Sequence, residues 1–336
     1  MKILITGAAG GIGSTLGHFL NQNGHNLILV DDLRNGYMEN LIVDGETFGQ
    51  FYKIDINSDD FHNLISEEIP DAIVHLAAIT SLPDCEVNYR ECIRCNVEGT
   101  ASVLGAARKY GIEKIIFAST SAVYENTPLG DKGFSESDEI NPRLFYSLSK
   151  KMAEEICTSF SENYGMNITT LRFFNVFGPK QDIHRKSPPL INYIVRELSN
   201  NRSPILHSDG KQSRDYVYVN DVVDLIEKCL NRDHKGYATF NVSTGTSTSV
   251  QDILESVKSG INLENEINAV YRNPDRLWDS YMDLFDGKYS LKKSIVEKET
   301  LKKSLGNNDL SKKLLDWYPE SKIGDLIKSM VSLMKI

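Results

Sequence analysis

Gly7-Ala8-Ala9-Gly10-Gly11-Ile12-Gly13 follows directly on the apolar run Lys2 to Ile5 and leads into a helical segment that ends near Gly24. Strand, glycine loop and helix in that order decide the fold. Glycines allow the sharp strand-to-helix turn and let bare backbone approach a pyrophosphate, which then rests on the partial positive charge of the helix N-terminus. Gly7, Gly10, Gly11, Ile12 and Gly13 are therefore candidate cofactor contacts. A glycine cluster alone reads equally well as a turn, but the next apolar run, Leu27 to Val30, ends in Asp31, 18 positions after Gly13. A carboxylate there can accept hydrogen bonds from both ribose hydroxyls of a dinucleotide and would repel a 2′-phosphate, which favours NAD over NADP. Arg34, close behind, tempers that preference. Asp55 and Ile56, after the third run, either meet the adenine ring or form an ordinary surface loop.

Outward from the loop, short β-branched runs alternate with helical segments: Lys2 to Ile5, Asn26 to Val30, Phe51 to Ile54, Ala72 to Leu76, Lys114 to Ala118 and Asn167 to Leu171. This rhythm predicts parallel strands joined by crossover helices, and the continuous apolar runs predict strands covered on both faces. After Phe177-Gly178-Pro179 it breaks into a polar loop, Lys180 to Pro189, then a helix from Leu190 to Ser199 and strand-like pieces around Ile205 and Tyr216. Phe240-Asn241-Val242 reads as one more sheet strand. The expectation is an α/β fold of the Rossmann type. A doubly wound parallel sheet occupies residues 1–178, with a return strand near 238–243, and a smaller α/β substrate-binding domain occupies 179–336.

The whole chain agrees. Its 336 residues, 40% hydrophobic and 25% charged, suit an ordinary globular protein with a large core. The net charge of -9, with basic residues scattered rather than striped, argues against a nucleic-acid partner. No stretch approaches the ~20 apolar residues of a membrane span, and the start leaves no room for a signal peptide, so a cytoplasmic location is expected. Five cysteines, an odd number, argue against a disulfide framework. Cys92 and Cys95 form a C-x-x-C on a predicted long helix from Cys92 to Lys109, but no second pair or histidine cluster completes a metal site, so no metal is expected.

Tyr146-Ser147-Leu148-Ser149-Lys150 puts a phenol and an ammonium on one helix face. The same spacing recurs at Tyr110/Lys114, Tyr289/Lys293 and Tyr318/Lys322, so position has to decide. Only Tyr146 opens the helix that follows the fifth strand's loop, on the carboxyl side of the sheet where ligands of this architecture bind. A phenol with a pKa near ~10 is a poor base at neutral pH, and Lys150 together with a positive nicotinamide would have to bring it down by roughly three pH units. Ser119-Thr120-Ser121-Ala122-Val123-Tyr124, at the end of the fifth strand, offers small hydroxyls that can hydrogen-bond a substrate oxygen.

With these pieces assembled, the chain resembles the extended short-chain dehydrogenase/reductases, especially the nucleotide-sugar epimerases, whose glycine spacing is the G-x-x-G-x-x-G variant. The similar segments are Val74-His75-Leu76-Ala77-Ala78, Asn96-Val97-Glu98-Gly99-Thr100, Leu171 to Pro179 and Arg214 to Val219. The resemblance implies NAD as cofactor, with Asp32, Leu76, Ala77 and Ala78 as further contacts, and a nucleotide-diphosphate sugar as substrate. It implies that Thr120 assists Tyr146 and Lys150 in catalysis. Asn175 and Arg214 would hold the diphosphate and nucleotide, and Arg272 would add a phosphate contact, a task that suits the guanidinium fork. Asn175 as a turn residue and Arg214 as a surface charge are the alternatives.

Departures from the family pattern narrow the reaction. The 4,6-dehydratases carry an Asp-Glu or similar acid in the two positions held here by Ser121 and Ala122, and the uronic acid decarboxylases carry an acid where Ala122 sits. Reversible oxidation at C4 survives, which implies a C4 epimerase acting on UDP-glucose, UDP-galactose or an N-acetyl derivative. The alternatives are a nucleotide-sugar 4-dehydrogenase/reductase or 4,6-dehydratase of the same family. A non-catalytic scaffold is a different class, against which the retention of Thr120, Tyr146 and Lys150 speaks. Thr80, Ser81 and Ser280 fall near pocket positions that are bulky in strict galactose epimerases, so room for a 2-acetamido group is expected, with Ser121 a further substrate contact. A homodimer through the helices beginning near Cys92 and Tyr146 is also implied.

Overall fold

Six apolar runs form parallel strands: β1 (Lys2–Thr6), β2 (Asn26–Asp31), β3 (Gln50–Lys53), β4 (Ala72–His75), β5 (Lys114–Thr120) and β6 (Asn167–Phe173). Two short strands, β7 (Asn175–Phe177) and β8 (Ser213–Tyr218), pair with each other outside this sheet, and β9 (Tyr237–Val242) returns to it. The sheet order is β9-β6-β5-β4-β1-β2-β3, the doubly wound pattern whose direction reverses between β1 and β4. The computed structural model describes residues 1–261, 266–320 and 322–333.

The apolar runs are continuous because both faces of the sheet are covered. Ile3, Ile5, Leu27, Leu29, Val74, Ile116 and Leu171 share one core with Leu16 and Leu20 of α1 (Gly11–Gln22). Leu4, Ile28, Val30, Ile73, Ile115 and Ile168 share the other with Phe61 of α2 (Asp59–Glu68). Each such fully buried side chain contributes about 1.5–3 kcal/mol. β3 departs from the expectation: it is an edge strand paired only with β2, and Gln50 and Lys53 are exposed. Lysine and polar residues on an edge discourage pairing with another chain.

α3 (Leu82–Val87) and α4 (Tyr89–Ile93) lead into α5 (Gly99–Lys109). The long helix expected from Cys92 is therefore present but is interrupted by a π-helical turn over Arg94–Glu98, which lets Asn96 turn inward. Such a turn leaves no trace in hydrophobic spacing and often marks a functional site. Asn96 ties the turn to its surroundings by donating to Ile79 O (2.9 Å) and Ser149 Oγ (3.0 Å) and accepting from Ile79 N (2.8 Å). All five cysteines are free.

α6 (Phe145–Tyr164) packs against β5 and β6 and is fixed there by a buried ion pair. Arg172 on β6 meets Glu154 on α6 through Nε (3.0 Å) and Nη2 (2.8 Å), and Ser119 Oγ donates to the same carboxylate. Tyr124 completes the network, accepting from Arg172 Nη1 (2.8 Å) and donating to Asn241 Oδ1 (2.9 Å).

Around β7 and β8 lie α7 (Leu190–Ser199), α8 (Val219–Asn231), α9 (Val250–Gly260) and α12 (Ile323–Leu333), with Phe177, Ile191, Ile194, Tyr216, Val250 and Ile253 in a separate core. α10 (Lys293–Leu301) and α11 (Asp309–Leu315) precede α12. Among the described residues no helix is long and apolar enough to cross a membrane.

Candidate active site

The glycine loop is shaped by backbone contacts that tolerate no side chain. Gly7 has φ +70°, and a Cβ there would sit 2.7 Å from Ala77 N. A Cβ on Gly13 would lie 2.2 Å from Gly7 O, and one on Gly11 would lie 3.0 Å from Lys180 O. Gly10 caps α1 with no side-chain bond, and the first turn carries no acid, so the helix presents its amides and its positive end uncompensated. Ile12 is half-buried beside it. This bare cradle suits a pyrophosphate.

Asp31 ends β2, 9% exposed. Its carboxylate accepts from Ala9 N (2.9 Å) and Leu33 N (2.8 Å), so it fixes the glycine loop. Burial raises its pKa against those two bonds. Arg34 is occupied: it pairs with Asp32 (3.2 Å) and Glu91 (2.5 Å). A guanidinium so held is not free for a 2′-phosphate, which removes the reservation about NAD. Arg94, in the π turn, also pairs with Glu91 and with Asp55 (2.9 Å). Burial raises the Asp55 pKa, but Asn57 N–H and Arg94 outweigh it and the net shift is downward. Ile56, expected at the adenine, instead turns its side chain into the core against Gly99, where a Cβ would sit 2.6 Å away, so only its backbone can face a cofactor. Leu76, Ala77 and Ala78 are half-buried at the end of β4, with Ala77 N donating to Thr6 Oγ1 (3.3 Å).

Thr120 is the last residue of β5 and Tyr146 the second of α6, 8% and 9% exposed. Lys150, one helical turn on, is 3% exposed and donates to Ala118 O (2.8 Å), with Phe117 beneath it (4.9 Å to the ring centroid). Burial pulls its pKa from 10.5 down to about 8. Tyr146 moves the other way: burial pushes its phenol up to about 12, while Thr120 and Arg185 pull it down. The expectation that Lys150 lowers the phenol directly is thus not met by the protein alone. Ser121 is half-buried, and its neighbour Ala122 packs beside Tyr146.

Two acids unnoticed in the sequence hold α6 in place. Glu125 accepts from Arg143 N (2.9 Å), Leu144 N (3.0 Å) and Ser147 Oγ (3.1 Å), and Glu86 accepts from Phe145 N (2.6 Å). They neutralise the helix's unsatisfied amides from distant positions, so no local capping motif announces them.

The expected substrate contacts are less uniform. Asn175 opens β7, donates to Asp215 O (3.0 Å) and bridges to β8. Arg214 is partly buried and donates to the carbonyls of Glu299 (2.8 Å) and Thr300 (3.3 Å) at the end of α10. Arg272 is exposed on the short strand Val270–Arg272. Ser81 is buried and caps α3 by accepting from Asp84 N (3.4 Å), while Thr80 is exposed. Ser280 is exposed rather than pocket-lining. Its neighbour Tyr281 is the residue turned inward, 3% exposed, because the packing of Trp278 and Leu284 orients that turn.

Residues 3–243 match the family model described as the NAD dependent epimerase/dehydratase family. The chain is 29% identical to the UDP-glucose 4-epimerase of Mycolicibacterium smegmatis, over 100% of this chain and 99% of that one. Among solved structures it is similar to a UDP-glucose 4-epimerase with UDP-glucose from Thermotoga maritima, at 26% identity and TM-score 0.85, covering 99% of this chain and 98% of that one. It is also similar to a UDP-N-acetylglucosamine 4-epimerase from Methanobrevibacter ruminantium in complex with UDP-N-acetylmuramic acid, at 26% identity and TM-score 0.83, covering 98% and 97%.

Proposed function

The chain belongs to the NAD-dependent epimerase/dehydratase family, and on that premise we propose that it inverts C4 of a nucleotide-diphosphate hexose through a transient 4-keto sugar. The observation that carries this is the convergence of Thr120, Tyr146 and Lys150, all buried, at the carboxyl ends of β5 and β4 beside the glycine loop. Gly7, Gly10, Gly11, Ile12 and Gly13 hold the pyrophosphate of NAD, Asp31 the ribose, and the backbone around Asp55 and Ile56 the adenine. Bound NAD supplies the hydride acceptor at C4 and the donor that returns it. Tyr146 Oη takes the proton of the C4 hydroxyl and later gives it back. Thr120 Oγ1 holds the same sugar oxygen, and Lys150 fixes the site's positive charge next to β5.

Residues 1–178 with β9 form the cofactor-binding part and residues 179–336 the sugar-nucleotide part; Asn175, just before the boundary, and Arg214 beyond it take the diphosphate and nucleotide. The relatives that act on UDP-glucose and UDP-N-acetylglucosamine support a UDP-hexose. Elimination of water is disfavoured, since Ser121 and Ala122 offer no acid and both Glu86 and Glu125 are engaged at the start of α6. A cytoplasmic homodimer is the expected form, using the helices that begin near Cys92, running on into α5, and near Tyr146, α6, beside which Tyr89 (49%) and Met152 (40%) stay exposed.

The test is to incubate the purified protein, without added cofactor, with UDP-hexoses while following anomeric NMR signals and NADH absorbance. A C4 epimer without net NADH is expected. Stoichiometric NADH that requires added NAD, with a keto or acid product, would replace this reading with a dehydrogenase.

A further inference from the structure

The loop after β2 is pinned to the glycine loop at both ends and leaves Arg34 at its tip. Asp31 Oδ2 accepts from Ala9 N and Asp31 Oδ1 from Leu33 N, where the chain turns through the left-handed region (Leu33 φ +60°). On the way back Gly36 is tucked against the same two residues: a Cβ there would lie 2.7 Å from Ala9 Cβ and 2.9 Å from Asp31 Oδ1. Tyr37 N then donates to Ala9 O (3.1 Å). Arg34 is thus fixed three positions from the carboxylate proposed for the ribose. It lies in the β1-β2-β3 half of the sheet, the first mononucleotide-binding unit of a doubly wound fold. An arginine in this neighbourhood is the group that accommodates the 2′-phosphate where such a fold takes NADP.

The guanidinium is engaged elsewhere. Arg34 Nη1 meets Glu91 Oε1 (2.5 Å), and Nη2 meets Asp32 Oδ2 (3.2 Å). Glu91 stands on α4, 57 positions along the chain. Its carboxylate also accepts from Arg94 through Nε (3.1 and 3.0 Å) and Nη2 (2.7 Å), and Arg94 Nη2 reaches Asp55 (2.9 Å) in the loop after β3. Asp32, Arg34, Glu91, Arg94 and Asp55 therefore form one chain of alternating charge from the β2 loop through α4 to the β3 loop, with Glu91 at its centre. Asp32 is two positions from Arg34 in the same loop, whereas Glu91 ties the guanidinium to a separate helix. Glu91 is the group that sets where the arginine points.

We infer that Glu91 is a specificity residue for the cofactor: it holds Arg34 in the α4 network and so denies the 2′-phosphate of NADP its cation. Asp31 and Glu91 act at different points. Asp31 opposes the phosphate by like charge, and Glu91 occupies the guanidinium that would offset that repulsion. NAD, with a free 2′-hydroxyl, requires neither group to change partner. NADP has to break the Arg34–Glu91 pair or leave its phosphate beside a carboxylate without a counter-ion. The side chains of Arg34 and Glu91 are 36% and 38% exposed, so the pair is screened by solvent and its release should change affinity several-fold rather than by orders of magnitude.

The experiment loads the full-length protein with radiolabelled NAD, equilibrates it with unlabelled NAD or NADP, and measures the NADP-to-NAD ratio needed for half displacement. Wild type, Glu91→Gln, Glu91→Ala, Arg34→Gln and the Arg34→Gln/Glu91→Ala double variant are compared. Wild type should require an excess of NADP. Glu91→Ala should lower the ratio by ~3–10-fold, and Glu91→Gln, which keeps a hydrogen bond but not the charge, by less. In the double variant the gain should vanish, because no guanidinium is left to release. An unchanged ratio in Glu91→Ala would overturn the assignment and make the residue a structural brace. A gain that persists in the double variant would also overturn it, since Glu91 would then repel the phosphate directly. The readout is nucleotide exchange, so it holds whichever sugar reaction the protein performs.

Discussion

Replacing Lys150 by Met should make the cofactor-free protein more stable at neutral pH while disabling it. In the unfolded chain the ammonium keeps its proton to pH 10.5, whereas burial in the fold brings its pKa to about 8. A base whose folded pKa is lowered destabilises the fold wherever both states are protonated, here below about pH 8, and the penalty fades as pH rises from 8 to 10.5. At ~1.4 kcal/mol per pH unit the penalty is ~3 kcal/mol. The methionine loses the bond to Ala118 O, worth ~1 kcal/mol, so a net gain of ~1–2 kcal/mol is expected at neutral pH. Above pH 10.5 the sign reverses, because the wild-type lysine is then neutral in both states and still makes its bond. Urea unfolding of the nucleotide-stripped proteins at the two pH values measures this crossover, and epimerisation should fall by on the order of 10²–10⁴-fold. A variant less stable by the same amount at both pH values would refute the reasoning.

Glu154→Gln should cost ~3–5 kcal/mol in urea unfolding, because it leaves Arg172 charged and buried without its counter-ion; a loss under ~1 kcal/mol would mean the pair is solvated. His75, held between Thr6 (2.7 Å) and Thr100 (3.2 Å), has its pKa lowered by burial, and secondarily by Lys150, from 6.5 to about 3. The unfolded histidine takes up a proton that the folded one refuses, so stability should fall as pH drops from 6.5 toward 3, by ~4–5 kcal/mol at most, and His75→Gln should flatten that acid limb in pH-dependent unfolding. Gly13→Ala should abolish retained NAD in the purified protein, read from nucleotide released on denaturation, because its Cβ would sit 2.2 Å from Gly7 O.

The sheet was legible because most buried strands are written as apolar or β-branched runs, and the glycine loop because its glycines fall together between a strand and a helix. β3 was read too apolar, since an edge strand needs only its central Phe51 and Tyr52 half-covered. The candidate pair Tyr146/Lys150 was singled out by placing Tyr146 after the fifth strand, not by its spacing. What escaped depends on contacts between distant segments: Glu86 and Glu125 reach the start of α6 from 59 and 19 positions away, to Phe145 and Leu144. Arg185 and Tyr281 lie in polar stretches with no periodicity, and the inward face of the Trp278–Leu284 turn, which exposes Ser280 and buries Tyr281, is set by packing against Leu144 and Val296. The π turn at Arg94 carries no compositional signal either.

The most direct test of the central claim is to epimerise a UDP-hexose carrying deuterium at C4, in ordinary water and without added NAD, and to locate the label in the product. Reversible oxidation at C4 with the cofactor retained predicts that the epimer keeps its deuterium at C4, and that Tyr146→Phe nearly abolishes its formation. Loss of the label to solvent, or its recovery in released NADH, would contradict the account.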